Sequence, residues 1–142
     1  PVQVTETAAT PAAAFLLIAR LFVRDTEGLH AAYRAGISAG LEPVVEVFDH
    51  QDVAAAKDLK AKIILVNSRD LDTLRLDLNL HRELIQHREE SELWICASGL
   101  SNRAQIQDMA DLGYAACLIG TSIMDSPNRL AALQGLTGKN DL

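Results

Sequence analysis

The sequence is poor in aromatic residues and has no excess of positive charge. Aromatic residues make up only 4% of its 142 residues, so Ala, Leu, Ile and Val must form the core, as they do where helices pack on a parallel sheet. The formal net charge of −6 and the absence of any basic and aromatic cluster argue against nucleic acid as a partner. A chain of this length can bury one substantial core, so we expect a single domain over residues 1–142.

Long hydrophobic runs are also lacking. No apolar run approaches the roughly 20 residues that a membrane-spanning helix needs, and no signal-peptide pattern opens the sequence. We therefore expect a cytoplasmic protein with no membrane partner.

Cysteine is scarce, with only Cys96 and Cys117, which fall in consecutive predicted strands. They have neither the spacing nor the additional partners of a metal site. The simplest interpretation is two small buried apolar residues in a reducing compartment, and a disulfide or a metal site is the alternative. We expect no cofactor and no metal.

Apolar, β-branched segments alternate with helical segments along the chain. The predicted strands cover residues 15–22, 43–49, 62–66, 93–97 and 115–119. The predicted helices cover residues 26–39, 52–59, 77–87, 102–112 and 126–135. Residues 2–5 are predicted as a short strand or a frayed tail, and residues 137–142 as a loose tail. Five strand–helix repeats with short connections predict parallel strands joined by right-handed crossovers.

A carboxylate stands at the centre of the second strand. By strand alternation Glu46 shares a face with Val44 and Phe48. A charge in this position is rarely tolerated unless it is paired or takes part in chemistry, and burial without a partner would raise its pKa to a range suited to proton transfer. The alternatives are a Glu left exposed on an open sheet or an ion pair with Arg20 or Arg69.

Glycine and small polar residues recur where the later strands end. Ser98 and Gly99 follow the fourth strand, and Gly120, Thr121 and Ser122 follow the fifth. In folds with parallel strands this edge of the sheet is where ligands bind. Backbone N–H groups of these glycine loops can converge on one anion, and the start of a helix adds partial positive charge. The alternative is that they are ordinary turn and capping residues.

Four segments together resemble the strand ends of one enzyme family. They are residues 41–47 (LEPVVEV), 61–74 (AKIILVNSRDLDTL), 97–100 (ASGL) and 118–124 (LIGTSIM). In this order they resemble the fifth to eighth strands of indole-3-glycerol-phosphate synthase, and the resemblance extends over about residues 15–136. The Asn-x-Arg-x-Leu and Ile-Gly-x-Ser-x-Met pieces are specific in combination.

That family is a TIM (β/α)8 barrel of tryptophan biosynthesis. It closes a phosphorylated carboxyphenylamino-deoxyribulose into indole glycerol phosphate, with loss of carbon dioxide and water. The resemblance implies that Glu46 is the catalytic carboxylate of the fifth strand, and that Asn67 and Arg69 orient the substrate and supporting carboxylates. It also implies that Ser98 lines the substrate pocket. The phosphate would be held by Gly99, Gly120, Thr121 and Ser122.

The sequence differs from the family in the positions of its lysines. The family places catalytic lysines on its first and third strands. The lysines of this sequence are Lys57, Lys60, Lys62 and Lys139, and none lies inside a predicted strand at a suitable place. Residues 1–11 stand where the third strand would be and carry neither a lysine nor the Lys-Asp-Phe motif. Ala97 replaces a glutamate before Ser98, and Leu65 replaces a glycine.

We therefore expect an α/β fold with about five β-α units of a partial TIM (β/α)8 barrel, and a flavodoxin-like open sheet is the alternative. The expected function is a truncated or divergent indole-3-glycerol-phosphate synthase, a decarboxylating carbon–carbon lyase that is inactive alone. The alternative is a non-catalytic phosphate-ester-binding half-barrel or assembly module. An incomplete barrel keeps two edges and an apolar face, so besides a phosphorylated small-molecule substrate we expect a homo-oligomer or a complementing N-terminal half.

Overall fold

The computed structural model describes residues 2–70 and 73–138. The strands are β1 (Ala14–Ile18), β2 (Glu42–Val47), β3 (Ile63–Asn67), β4 (Leu93–Ala97) and β5 (Ala116–Leu118). The helices are α1 (Val2–Ala8), α2 (Thr26–Ser38), α3 (His50–Asp58), α4 (Asn79–Leu84), α5 (Arg103–Leu112), α6 (Thr121–Met124) and α7 (Arg129–Thr137). Short 3₁₀ helices follow β1 at Ala19–Phe22 and α4 at Ile85–His87. Within these ranges no helix is long and apolar enough to span a membrane.

The sheet is open and its strands follow chain order, β1-β2-β3-β4-β5. β1 pairs with β2 in parallel, and β4 pairs with β5 in the same way. Sequential parallel strands with helical connections are the arrangement of a (β/α)8 barrel. A flavodoxin-like sheet instead reverses direction at a switch point. The prediction of about five β-α units of a partial barrel is therefore confirmed, and the flavodoxin-like alternative is set aside.

The chain has two compact units, and the first combines Pro1–Leu65 with Glu89–Leu93. In this unit α2 and α3 pack against β2. Helical spacing predicts that Leu29, Ala32, Tyr33, Gly36 and Ile37 form one face of α2. Leu29, Ala32 and Gly36 of this set are buried, whereas Ile37 is 51% exposed. A Cβ atom on Gly36 would overlap the ring of Phe15, so only glycine allows this contact between α2 and β1. Further core residues are Leu17, Val45, Val47, Val53, Ala56 and Ile64.

The second unit combines Val66–Arg88 with Trp94–Leu142. Helix α5 packs against β5 and α7. The buried side chains of this unit include Val66, Leu84, Trp94, Cys96, Met109 and Tyr114. A single domain over residues 1–142 stays a prediction.

The sequence predicts helix caps at Asp25 or Thr26, at Asp49, and at Asn102 with Gln105 as a capping box, and side-chain caps are found at Asp25, Asp49 and Asn102. Asp25 Oδ1 accepts from the Gly28 N–H at 2.9 Å, and Asp49 Oδ1 accepts from the Asp52 N–H at 2.9 Å. Asn102 begins α5 in the same way, accepting from the Gln105 N–H at 3.0 Å. In a capping box the side chain three residues after the cap accepts from the N–H of the capping residue. Here the Gln105 side chain accepts instead from the N–H of Ser101, the residue before the cap.

The first residues form a helix, and the prediction of a strand or a frayed tail at residues 2–5 is wrong. Helix α1 packs against α2, and Val4 is its buried residue. The Thr7 hydroxyl donates to the Gln3 carbonyl at 2.8 Å within the same helix. Tertiary packing therefore overrides the local strand preference of the two valines.

Two other boundaries differ from the prediction. Strand β1 ends at Ile18, because Ala19–Phe22 turns into a 3₁₀ helix. Ser126 as the cap and Pro127 in the first turn are predicted to start the last helix, but α7 is capped by Asn128, whose Oδ1 accepts from the Ala131 N–H at 3.0 Å. The helix continues past residue 135 to Thr137, where Gly138 ends it with φ +68°. The tail predicted beyond this point falls largely outside the described residues, which end at 138.

One face of the sheet is incompletely covered in each unit. In the first unit Leu16 of β1 is 48% exposed, and in the second unit Leu118 of β5 is 59% exposed. A closed barrel would bury side chains of this kind in its interior layers. The exposed leucines agree with a sheet that forms only part of a barrel.

Candidate functional site

Asn67 connects the ends of β3 and β4 in the second unit. Its Oδ1 accepts from the Ser98 hydroxyl at 2.9 Å and from the Arg69 N–H at 3.0 Å. Because both partners donate, the carbonyl oxygen of the amide is fixed and the NH₂ group is left as a donor. The structure thus brings together two of the predicted site residues, Asn67 and Ser98, at the carboxyl ends of neighbouring strands.

Buried Ser68 reinforces the same connection. Its hydroxyl lies 3.3 Å from the Ala97 carbonyl and 3.2 Å from the Ser98 carbonyl, and its N–H donates to the Ala97 carbonyl at 3.2 Å. Sequence reasoning did not single out Ser68. The only feature of the sequence that could have indicated this role is a small hydroxyl residue between Asn67 and Arg69.

The backbone after β4 adopts an unusual conformation. Ser98 has φ +71° and Gly99 has φ +74°, so two successive residues are left-handed. This costs a residue with a side chain about 1–2 kcal/mol, and such strain tends to occur at functional sites. Gly99 is also required by packing, since a Cβ atom there would overlap Leu78 Cδ2. Gly99 therefore has a structural role in addition to the predicted phosphate-binding role.

The segment between β3 and α4 folds back on itself. Arg69 and Leu76 form an isolated antiparallel bridge, and the Asp77 N–H donates to the Ser68 carbonyl at 2.9 Å. The Arg69 guanidinium donates to the Leu74 carbonyl at 3.2 Å. Residues 67–76 are predicted as a polar loop, and Arg69 and Leu76 pair across this segment as a small hairpin. Arg69, predicted to orient the substrate, therefore holds its own loop. The alternative prediction is an ion pair of Arg69 with Asp70 or Asp72, and Asp72 lies outside the described residues.

The loop after β5 is attached to the loop after β4. The Ser122 hydroxyl donates to the Leu100 carbonyl at 3.0 Å. Gly120 precedes α6, and its carbonyl accepts from the Ile123 and Met124 N–H groups at 3.0 Å each. The first N–H groups of a helix have no acceptor within the helix. The predicted phosphate-binding residues of the two loops are therefore connected through Leu100, the neighbour of Gly99.

Glu46 belongs to the first unit. It is 8% exposed and pairs in register with Ile18 of β1. The parallel register puts Glu46, Val44 and Leu16 on one face of the sheet, the face that is incompletely covered at Leu16. A catalytic role for Glu46 stays a prediction.

A cluster of charges follows β2 in the same unit. The Arg20 guanidinium lies 4.1 Å from the centre of the Phe48 ring, and its Nη2 is 3.3 Å from Asp49 Oδ2. Asp52 is buried and accepts from the Phe48 N–H at 2.9 Å. Burial raises the pKa of Asp52, while the Phe48 N–H and Arg20 oppose this shift. Sequence reasoning predicted Asp49 as a helix cap but did not predict that Arg20 lies over Phe48.

His81 is a buried residue of the second unit that contacts the last residue of β4. It is fully buried, and its Nε2 lies 3.1 Å from the Ala97 carbonyl oxygen, so Nε2 carries the proton. The Tyr114 hydroxyl donates to the His81 carbonyl at 2.8 Å. Burial lowers the pKa of His81, so the imidazole is neutral in the folded chain. The scatter of the four histidines over helices and loop ends predicts that they lie at the surface, and for His81 this prediction is wrong.

We expect the folded chain to lose stability as the pH falls below about 6.5, the ordinary pKa of histidine. Below this value the unfolded chain binds a proton at His81 that the folded chain binds only at lower pH. Urea unfolding measured from pH 8 to pH 5 should show this loss, and His81→Gln, which keeps a donor for Ala97, should reduce it. The matched variant His87→Gln, at an exposed position, should retain the loss. An unchanged pH dependence in His81→Gln would contradict this role.

None of the described lysines follows a strand. Lys57 lies in α3, and its Nζ is 2.6 Å from Glu92 Oε1 and 3.1 Å from Glu89 Oε1. Lys60 lies in the turn after α3, and Lys62 precedes β3. Lys139 lies outside the described residues. In the part of the chain that the structure describes, no group of three or more His, Cys, Asp or Glu side chains could hold a metal ion.

Sequential parallel strands with polar residues at their carboxyl ends define a chain of the β/α-barrel class. A solved structure of 3-hexulose-6-phosphate synthase superposes with a TM-score of 0.76 at 17% identity, covering 97% of this chain and 67% of that one. At this identity the likeness shows the fold alone.

The chain belongs to the indole-3-glycerol phosphate synthase family, whose sequence model matches residues 1–136. It is 37% identical over 139 residues to indole-3-glycerol phosphate synthase of Aquifex aeolicus, covering 96% of this chain and 53% of that protein. It is 34% identical over 132 residues to the same enzyme of Lactococcus lactis subsp. cremoris, covering 92% of this chain and 50% of that protein. The chain thus spans about half the length of the curated relatives that it matches.

Proposed function

We propose that this chain supplies the phosphate-binding and substrate-orienting part of an indole-3-glycerol phosphate synthase active site, in tryptophan biosynthesis. The observation that carries the proposal is the hydrogen bond between Asn67 and Ser98, which holds two polar side chains together at the ends of β3 and β4. The family membership of residues 1–136 supplies the chemistry: ring closure of a carboxyphenylamino-deoxyribulose phosphate with loss of carbon dioxide and water.

The proposed roles come from the family resemblance, and the surroundings of each group support them. Glu46, almost fully buried within β2, would transfer a proton. The NH₂ group of Asn67, whose carbonyl oxygen is held by Ser98 and Arg69, would donate to the substrate. Arg69 would orient the substrate if its guanidinium releases the Leu74 carbonyl, which it contacts at 3.2 Å.

Phosphate would be bound by backbone N–H groups. The two glycine loops are connected by the Ser122–Leu100 hydrogen bond, so the N–H groups of Gly99, Gly120, Thr121 and Ser122 belong to one connected segment of the second unit. Backbone donors need no lysine or arginine for this purpose. This part of the site therefore needs no lysine at the end of a strand.

A proline at residue 121 tests the phosphate site. Thr121→Pro removes one N–H at the first position of α6, where proline is favoured. Gly120 has no Cβ atom to clash with the proline ring, but its αR conformation is disfavoured before proline, so the amide spectrum of the variant must first show that the loop is unchanged. We expect glycerol phosphate to bind the variant roughly ten- to a hundredfold more weakly by calorimetry, because a hydrogen bond to a charged group contributes about 1.5–3 kcal/mol. The matched control is Arg129→Pro at the first position of α7, which should bind like the parent chain. Equal affinities in both variants, or no binding by the parent chain, would contradict the site.

A second candidate is a non-catalytic half-barrel that binds a phosphate ester or serves in assembly. The contact between Arg69 and Leu74 favours it, because it engages the cation that would orient the substrate. Both candidates need a partner for the partly bare sheet faces at Leu16 and Leu118. That partner would be a complementing N-terminal half or a second copy of the chain. Turnover restored by a complementing half supports the first candidate, and no turnover with such a half supports the second.

A further inference from the structure

Two cysteines lie side by side in the second unit. Cys96 of β4 and Cys117 of β5 are register partners in a parallel pair, and both are free thiols. Their Sγ atoms are 3.1 Å apart. Register partners on adjacent strands point to the same face of a sheet, so this contact follows from the backbone and not from a chance rotamer. We refer to Cys96 and Cys117 as the thiol pair.

The two thiols differ in access. Cys96 is fully buried. Cys117 is half-buried and lines a cavity of about 590 Å³ between α5, β5 and α7. The cavity wall is mainly apolar and includes Ile106, Ala110, Ile119, Leu133 and Leu136. A small uncharged molecule can therefore reach Cys117 but not Cys96.

Their hydrogen bond also makes them chemically different. The Cys96 thiol donates to the Cys117 sulfur, and this bond lowers the pKa of Cys117 and raises the pKa of Cys96. Burial raises both values and so opposes the first shift. Because the thiolate is the reactive form, Cys117 is the better nucleophile of the two.

We propose that the thiol pair is a peroxide-reactive site that oxidises to a disulfide joining β4 to β5. In the first step the Cys117 thiolate attacks a hydroperoxide: the sulfur–oxygen bond forms, the oxygen–oxygen bond breaks, and an alcohol or water leaves after taking up a proton. In the second step Cys96 attacks the sulfenic acid of Cys117, the sulfur–sulfur bond forms, and water leaves with the Cys96 proton. Two thiols lose two electrons in total, and the peroxide gains them.

The spacing of paired strands is compatible with a disulfide. Adjacent strands are about 4.7–4.9 Å apart, which falls within the Cα separation of about 4.4–6.8 Å found in disulfides. Side-chain rotation together with a small approach of β5 to β4 would bring the two sulfur atoms from 3.1 Å to the bond length of about 2.05 Å. The bond would fasten the three-residue strand β5 to β4, at an edge of the sheet. This site is independent of phosphate binding, so it stands or fails separately from the proposed function.

Hydrogen peroxide is the probe for this proposal. The full chain is treated with hydrogen peroxide, and its free thiols and its mass are measured over time. The chain should lose both thiols together, its mass should fall by two hydrogens, and a dithiol reductant should restore it. In Cys96→Ser the reaction should stop at a sulfenic acid on Cys117 that a cyclic dione traps. In Cys117→Ser the remaining thiol should react about tenfold more slowly or not at all.

Several outcomes would overturn the proposal. They are persistence of both thiols, oxidation beyond the sulfenic acid without a disulfide, and a bond formed only between two chains. Equal reactivity of the two single variants would also contradict it. Circular dichroism checks that each variant folds. If a variant does not fold, peptide mapping of the oxidised parent chain still shows whether Cys96 and Cys117 are joined.

Discussion

The isolated chain is expected to form no indole-3-glycerol phosphate above the buffer background. A positioned general acid contributes about 10²- to 10⁴-fold to a rate, and the chain has no described lysine at the end of a strand to serve as one. Lys57 is engaged by Glu92 at 2.6 Å, and Lys62 lies at the opposite end of β3. Product formation from carboxyphenylamino-deoxyribulose phosphate, followed by chromatography, measures this directly.

A second component should restore the activity. The N-terminal half of the Aquifex aeolicus relative, added in excess, should supply the strands that this chain does not span, with their lysines. The matched control is the same half with its catalytic lysines replaced by methionine, which should assemble equally well by sedimentation but leave turnover at background. Clear turnover by the isolated chain, or equal turnover with both halves, would contradict the assignment of the general acid outside this chain.

Glu46→Gln is expected to lower kcat of the complemented enzyme by about 10²- to 10⁴-fold. The substitution preserves the size of a side chain that is 8% exposed in β2, so it removes proton transfer with little change in packing. The change should appear in kcat more than in KM, and the limb of the pH–rate profile that reports this carboxylate should disappear. Steady-state kinetics at several pH values measures both effects.

The control for Glu46 is available on the same strand. Glu42 lies four residues earlier on the same face of β2, so Glu42→Gln makes the same chemical change at another position. This variant should keep kcat within about threefold of the parent, as expected for a residue that does not touch the reacting atoms. An equal loss in both variants, or a fully active Glu46→Gln variant, would rule out a specific catalytic role for Glu46.

Much of the fold was predictable because local signals agree with the tertiary structure. Strand β4 has the predicted bounds, Leu93–Ala97, and the caps at Asp25, Asp49 and Asn102 lie where side-chain chemistry places them. The order of strands also follows, since short connections leave few other topologies. In contrast, α1 forms where two valines favour a strand, because packing against α2 stabilises the helix.

The site was less predictable because its contacts depend on backbone conformation. The left-handed Ser98, at φ +71°, accompanies its hydrogen bond to Asn67, and no residue preference indicates such a value for serine. The contact of Arg69 with Leu74 depends on the hairpin, and the sequence of a polar segment does not indicate which of its residues pair. The proximity of Cys96 and Cys117 required the exact register of β4 against β5. The assignment of the catalytic and phosphate-binding residues stays a prediction.

The central claim is that the loops after β4 and β5 bind the phosphate of a sugar-phosphate substrate. Amide resonances of the isotope-labelled chain, recorded during titration with glycerol phosphate, test it most directly. The account predicts that the amides of Gly99, Gly120, Thr121 and Ser122 shift together along one saturating curve, while those of α2 and α3 stay in place. A titration that leaves these four amides unmoved, or that moves only amides elsewhere, would contradict it.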